Sequence, residues 1–249
     1  DIAPLRFTLF NGKGQIIEGY ENLPVGTPIY AQDLERGLHY IRISNTGDTT
    51  GDFTLDLNCS AIGSIGFGNG AGTFVKTSTT IVLTGDGTAI DGTTDNGYYA
   101  FTKSTESFNF IAKVTFAAAV GNTQAGIELR QGTAANAKHI TSMLMRNSGN
   151  TAWNKVTRYR TAAGGATTTV SNQATAVNGY YVSMHYDRSA NQVTTGYSAD
   201  GLTWTYATPV ALTFSEPMTV GFISASATDG TNRAVTFSNI TFTEIPYEE

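Results

Sequence analysis

Charged side chains are scarce in this chain of 249 residues. Asp, Glu, Lys and Arg make up 14% of it, against about 25% in an ordinary soluble domain. Helices are built largely from Glu, Lys, Leu and Arg, so the shortage argues against a helical protein. Cysteine is nearly absent as well. Cys59 stands alone, which removes an internal disulfide framework and a thiolate metal cluster. No apolar run approaches the roughly 18 residues of a membrane-spanning helix. No run of Lys and Arg exceeds two, and the net charge is −5. A nucleic-acid partner needs basic patches and is excluded. The three histidines, His39, His139 and His185, show neither HxH nor HExxH spacing, so they predict no zinc site. There is no GxSxG nucleophile elbow.

What fills the space is Thr, Ser, Gly and Ala, together with 12 Tyr and 13 Phe. β-Branched and aromatic residues favour strands, and the small polar residues favour turns. The clearest stretch is Tyr180 to Tyr206. Tyr180–Tyr186 and Gln192–Tyr197 read as strands joined by the polar turn Asp187 to Asn191. Ser198, Asp200, Gly201 and Trp204 then form a second tight reversal, in which Asp-Gly supplies the positive-φ step of a hairpin. The string SxDGxTW resembles a shortened Asp-box. Its role there is structural, so Asp200 is read as a turn residue and Trp204 as its cover.

The chain divides into two units. Residues 1–58 predict strands at Leu5–Phe10, Gln15–Tyr20, Leu38–Ser44 (a central strand, apolar on both faces) and Asp52–Asn58. Residues 59–73 carry many glycines and read as a linker. Ile62, Ile65 and Phe67 predict that it packs on a domain. Residues 74–249 predict further strands at Thr79–Thr84, Tyr98–Thr102, Phe108–Phe116, Ala125–Arg130, His139–Arg146, Lys155–Thr161, Thr167–Ser171, Thr205–Ala207, Met218–Ala225 and Ala234–Glu244. Turn signals recur at the spacing of a sandwich. The fold class is therefore all-β: a small partial jelly-roll-like sandwich followed by a larger antiparallel one.

Two resemblances sharpen this. Glu35 to Leu57 resembles the closing half of a bacterial pre-peptidase C-terminal (PPC-type) domain, with Leu5 to Gln15 matching its middle strand. The first strands of that family have no counterpart here. The resemblance implies that a neighbouring chain could donate them. The second unit resembles the concanavalin A-like jelly-roll modules of secreted bacterial proteins, the DUF1349 or laminin-G-like group. The matching pieces run in order: Leu83–Gly87 with Ile90–Gly92, Phe108–Val114, Ala125–Gln131, Tyr159–Gly165, Tyr197–Trp204, Val220–Phe222 and Val235–Ile240. Ser183 stands where that family carries arginine.

Candidate chemistry is sparse. Glycoside hydrolysis needs two carboxylates facing each other across a cleft, and no ExDxxE strand occurs. Glu128 is expected to pair with Arg130 on the same strand face. No catalytic residue is assigned. Asp86, Asp91 and Asp95, set among glycines, are the candidate Ca²⁺ ligands, because hard oxygens on a loop suit that ion. Trp153 in a polar loop is the candidate sugar-stacking platform, with Tyr159, Arg158, Tyr98 and Tyr99 beside it.

The expected function is a non-catalytic module that binds carbohydrate or a cell-surface glycan. The chain opens on Asp1 without Met, which reads as a processed, extracellular or cell-surface, prokaryotic product. Two alternatives stand. One is a structural or adhesive subunit that assembles with copies of itself through strand exchange. The other is an accessory fragment of a secreted hydrolase.

Overall fold

The structure is a computed structural model that describes residues 5–11, 13–24, 40–45 and 62–245. It is all-β, and no helix is present among the described residues. Among the described residues, no helix is long and apolar enough to cross a membrane. The chain forms two compact units, Asp1–Ala61 and Ile62–Glu249.

In the first unit, β1 (Leu5–Phe10), β2 (Leu23–Pro24) and β3 (Tyr40–Asn45) form an antiparallel sheet in the order β2-β1-β3. Alternation along β1 buries Phe7 and Leu9, which pack with Tyr20. The hairpin predicted over Gln15–Tyr20 is reduced to one bridge, Phe10 to Ile16. Asn11 explains this: its side-chain oxygen accepts from the Lys13 and Gln15 amides and closes a tight loop. β3 lies at an edge of the described sheet, not at its centre, and Tyr40 is half exposed. Asp52–Asn58 and most of the Glu35–Leu57 stretch fall outside the described residues.

The second unit opens with β4 (Gly63–Phe67), β5 (Gly72–Lys76), β6 (Thr80–Gly87), β7 (Gly97–Ser104), β8 (Ser107–Phe116) and β9 (Gln124–Arg130). It continues with β10 (His139–Arg146), β11 (Trp153–Arg160), β12 (Thr168–Thr175), β13 (Tyr180–Asp187) and β14 (Gln192–Ser198). β15 (Thr205–Tyr206), β16 (Val210–Ala211), β17 (Met218–Ala225) and β18 (Thr228–Ile245) complete it. These make two sheets. A seven-stranded sheet runs β12-β11-β10-β9-β17-β7-β4. An eight-stranded sheet runs β15-β14-β13-β8-β18-β6-β5, with β16 also on β14. Every pairing is antiparallel.

The core lies between the sheets and follows from period-2 alternation. Phe108, Phe110, Ala112, Val114 and Phe116 of β8 meet Ala125, Ile127 and Leu129 of β9 and Val220 and Phe222 of β17. Phe222 stacks edge-on to Phe110 at 5.2 Å and tilts against Phe237 at 4.7 Å. Each such buried aromatic or aliphatic side chain contributes about 1.5–3 kcal/mol.

The segment read as a linker is built into this sandwich. β4 pairs with β7 and β5 pairs with β6. Phe67 is buried against Tyr99, so the hydrophobic residues of the segment outweigh its glycines. Gly70 permits the tight approach, since a Cβ there would fall 2.3 Å from the Gly97 carbonyl oxygen.

Candidate functional site

The eight-stranded sheet turns one face outward. On β13, Tyr181, Ser183 and His185 alternate with the core residues Val182, Met184 and Tyr186. On β14, Gly196 and Ser198 lie opposite Ser183 and Tyr181. The neighbouring edge strand β15 adds Tyr206, which pairs with Gly196. Gly196 leaves room for the Tyr206 ring to lie on the sheet. A Cβ at position 196 would sit 2.8 Å from that ring and 2.6 Å from Ser183 Oγ. Tyr206 is nonetheless 62% exposed. Trp204, two residues earlier and half-buried, runs nearly parallel to it, with centroids 6.4 Å apart and 20° between the ring planes. Leu202 at the turn is 85% exposed. Together these side chains form an aromatic ridge along the β15 edge.

The turn below the ridge fixes it. Asp200 Oδ1 accepts from the Leu202 and Thr203 amides and from Ser198 Oγ, and Ser198 Oγ accepts from the Gly201 amide. The Thr203 and Leu202 amides, then the Ser198 hydroxyl, hold the Asp200 carboxyl down to about 2. Gly201 has φ +79° and lies under the Tyr181 ring. Lys113 Nζ stands 5.4 Å from that ring, and Asn239 Nδ2 donates to the Tyr181 hydroxyl. Farther along the same face His185 Nδ1 contacts Asn109 Oδ1 at 2.9 Å. The face thus presents flat rings beside hydroxyl, amide and imidazole groups.

The seven-stranded sheet carries a different constellation on its own outer face. Antiparallel register sets Arg130 of β9, His139 of β10 and Arg160 of β11 in one row. Adjacent basic side chains repel, so the row needs anions. Glu128, two residues before Arg130 on the same face, supplies one at 2.8 Å. Asp95 from the loop between β6 and β7 supplies the other: its Oδ2 is 2.6 Å from Arg130 Nη1, and its Oδ1 is 2.8 Å from Arg160 Nη2. All five side chains are fully buried. With His139 neutral their charges cancel.

Arg130 and Arg160 also donate to the carbonyls of Ala134, Ala135, Ala137, Gly92 and Gly165. The cluster thereby pins three loops over the sheet. Glu128 Oε2, Arg130 Nε and His139 Nε2 find no hydrogen-bond partner, so the network is dense but not saturated. Burial alone would lower the His139 pKa, but hydrogen bonds and charge from Asp95 and Glu128 leave it raised. Burial alone would raise that of Asp95. Its contacts with His139, Arg160 and Arg130 hold it well below the usual carboxylate range.

The structure does not gather Asp86, Asp91 and Asp95 into one ligand set. Asp86 accepts from the Ala71 and Gly230 amides. Asp91 is engaged by Gly92, Thr167 and Arg158. Asp95 belongs to the arginine cluster. Among the described residues, the one metal-capable trio with converging atoms is Asp95, Glu128 and His139. Arg130 Nη1 lies 2.6 Å from Asp95 Oδ2, 2.8 Å from Glu128 Oε1 and 2.9 Å from His139 Nδ1. A guanidinium therefore supplies the positive charge that an ion would bring, and the donor set does not fit a metal alongside it.

Trp153 is 5% exposed. It opens β11, stacks on Phe116 at 4.8 Å and lies under the Arg146 guanidinium. No ring face remains for a sugar. Strand β11 begins at Trp153 itself, and period-2 alternation turns that ring inward. Tyr98 and Tyr99 are buried on opposite faces of β7, and Tyr159 packs partly against the core. Arg158 is 12% exposed and pairs with Asp91 at 3.1 Å. The sequence reading weighed His139 only as a zinc ligand and gave Tyr206 and Arg160 no site role. The alternating Trp204-Thr205-Tyr206 was the signal for the ridge. Nothing local marks His139 and Arg160 as neighbours.

Comparisons with known proteins address the fold. A protein of unknown function from Saccharomyces cerevisiae is 15% identical, with TM-score 0.59, covering 76% of this chain and 98% of that one. The GH43 protein BlXynB of Bacillus licheniformis is 14% identical, with TM-score 0.52, covering 67% of this chain and 33% of that one. A bifunctional GH43-CE protein of Bacteroides eggerthii is 11% identical, with TM-score 0.52, covering 69% and 22%. The likeness is one of fold, an all-β antiparallel sandwich. This chain therefore matches only a third or less of those two GH43 chains. No protein-family model matches the sequence, and no curated protein matches it significantly.

Proposed function

We propose that the protein is a non-catalytic carbohydrate-binding module whose ligand lies along the Trp204–Tyr206 ridge. The observation that carries this reading is the pair of near-parallel rings, Tyr206 exposed and Trp204 half-buried, held at a sheet edge. A pyranose presents an apolar face of C–H groups and a rim of hydroxyls. Rings take the face, and Ser183, Asn109 and His185 are suited to the rim. The buried carboxylates support a binding role over hydrolysis. Asp95 and Glu128 are sealed from solvent and neutralised by arginines, so neither can reach a glycosidic bond. A low-charge, hydroxyl-rich surface suits an extracellular setting, and the sandwich is read as an accessory part of a larger glycan-directed assembly.

The test is a glycan array followed by titration of the best ligand with fluorescence detection. Trp204→Ala and Tyr206→Ala should each weaken binding at least tenfold while leaving the melting temperature within about 2 °C, as surface changes do. Trp204 should also report binding directly, and the buried Trp153 should not. An array with no reproducible ligand, or ridge variants that bind as the wild type does, would overturn the assignment.

A further inference from the structure

Sheet edges expose unpaired N–H and C=O groups, and proteins blunt them with charge, proline, brevity or cover. Three edges of the sandwich are blunted. β15 has two residues, β4 is a short glycine-containing strand, and β5 is short and ends on Lys76. β12 is not. It holds eight residues, TTVSNQAT, with no charge and no proline, and most of them are exposed. Among the described residues it pairs with β11 alone. One irregularity interrupts that pairing at Thr157/Arg158, where Val170 is skipped, so the regular stretch is Ser171–Thr175.

We infer that Ser171–Thr175 of β12 is a self-association edge, pairing antiparallel with the same segment of a second copy of this chain about a two-fold axis at Gln173. The segment is its own complement. In this register Gln173 faces Gln173 of the partner subunit, where two amides can exchange hydrogen bonds. Asn172 faces Ala174 of the partner subunit, and Ser171 faces Thr175 of the partner subunit. No position sets like charges against each other, which is the usual obstacle to an isologous strand pair. The pairing joins two seven-stranded sheets into one continuous sheet. The ridge at β15 belongs to the other sheet, so each dimer would carry two of them. The inference is independent of what the ridge binds.

A charge swap tests it. Gln173→Lys and Gln173→Glu each place two like charges directly opposite one another at the axis. Light scattering on the full chain should show the wild type shifting with concentration from 26.4 kDa towards twice that mass. Each variant alone should remain at the monomer mass over the same range. An equimolar mixture of the two should recover the dimer, because Lys then faces Glu. Lys155 lies opposite Gln173 within the chain, so circular dichroism and melting curves must show both variants folded. A wild type that stays monomeric throughout would overturn the proposal. So would dimers that persist in both variants, or folded monomeric variants whose mixture fails to recover a dimer.

Discussion

Arg160 grips Asp95 with both terminal guanidinium nitrogens, Nη2 to Oδ1 at 2.8 Å and Nη1 to Oδ2 at 3.1 Å. The two residues are 65 positions apart, and neither is accessible to solvent. A bidentate fork of this kind fixes direction as well as charge. It ties the loop ahead of β7 to the far side of the seven-stranded sheet.

Breaking that fork should be costly. Asp95→Ala leaves two buried guanidiniums short of an anion. Loss of one partner of a buried ion pair costs about 3–5 kcal/mol. For a domain of this size the melting temperature should fall by about 6–20 °C. Arg160→Lys should also lower the melting temperature, because an ammonium cannot span both carboxylate oxygens. Calorimetry on the two variants checks both statements.

The same cluster sets a pH dependence with two limbs. The His139 pKa is raised in the fold from 6.5, so its contribution is complete below that value and is lost as pH rises through the folded pKa. The Asp95 pKa is depressed from 3.8, so its contribution is complete above that value and is lost as pH falls. Melting temperature should therefore be highest in mildly acidic solution, between about 4 and 6.5. His139→Gln should flatten the alkaline limb and leave the acid limb in place.

The two tryptophans should separate cleanly. Trp153→Ala opens a cavity beside Phe116 in the core and should cost about 3–5 kcal/mol. Trp204→Ala should cost less than about 1 kcal/mol, because its ring is only half-buried. Urea titrations of both variants decide the matter. Equal losses would place Trp204 in a packing role instead of on a binding ridge.

Gly201→Ala probes the turn beneath the ridge. A left-handed residue with a Cβ costs about 1–2 kcal/mol, and that Cβ would meet the Tyr181 ring at 3.1 Å. The variant should melt earlier, and its ridge should bind less tightly than the small loss of stability alone would explain.

Much of this architecture was legible in the residues. Alternation located β8, where buried residues alternate with partly exposed ones, and apolar runs bounded by turn signals located β9, β10 and β17, which are buried on both faces. Glu128 and Arg130 could be paired from their i, i+2 spacing alone. Glycine content concealed β4 and β5, since glycine marks flexible linkers and close backbone approach equally well. Trp153 misled because its polar neighbours, Asn147 to Ala152, form a turn that ends one residue before the ring. The Asp95 cluster was out of reach, because sheet register across β9, β10 and β11 brings together residues that no local pattern connects.

The passage from β4 to β5 has a practical consequence. β4 closes the rim of one layer and β5 closes the rim of the other, and the turn at 68–71 carries the chain between them. A version of the protein trimmed to begin at residue 77 would unseal both layers in a single cut, uncovering the backbones of β7 and β6 together. Expression boundaries, fusions and domain shuffling should respect residue 62 as the front seam of this module.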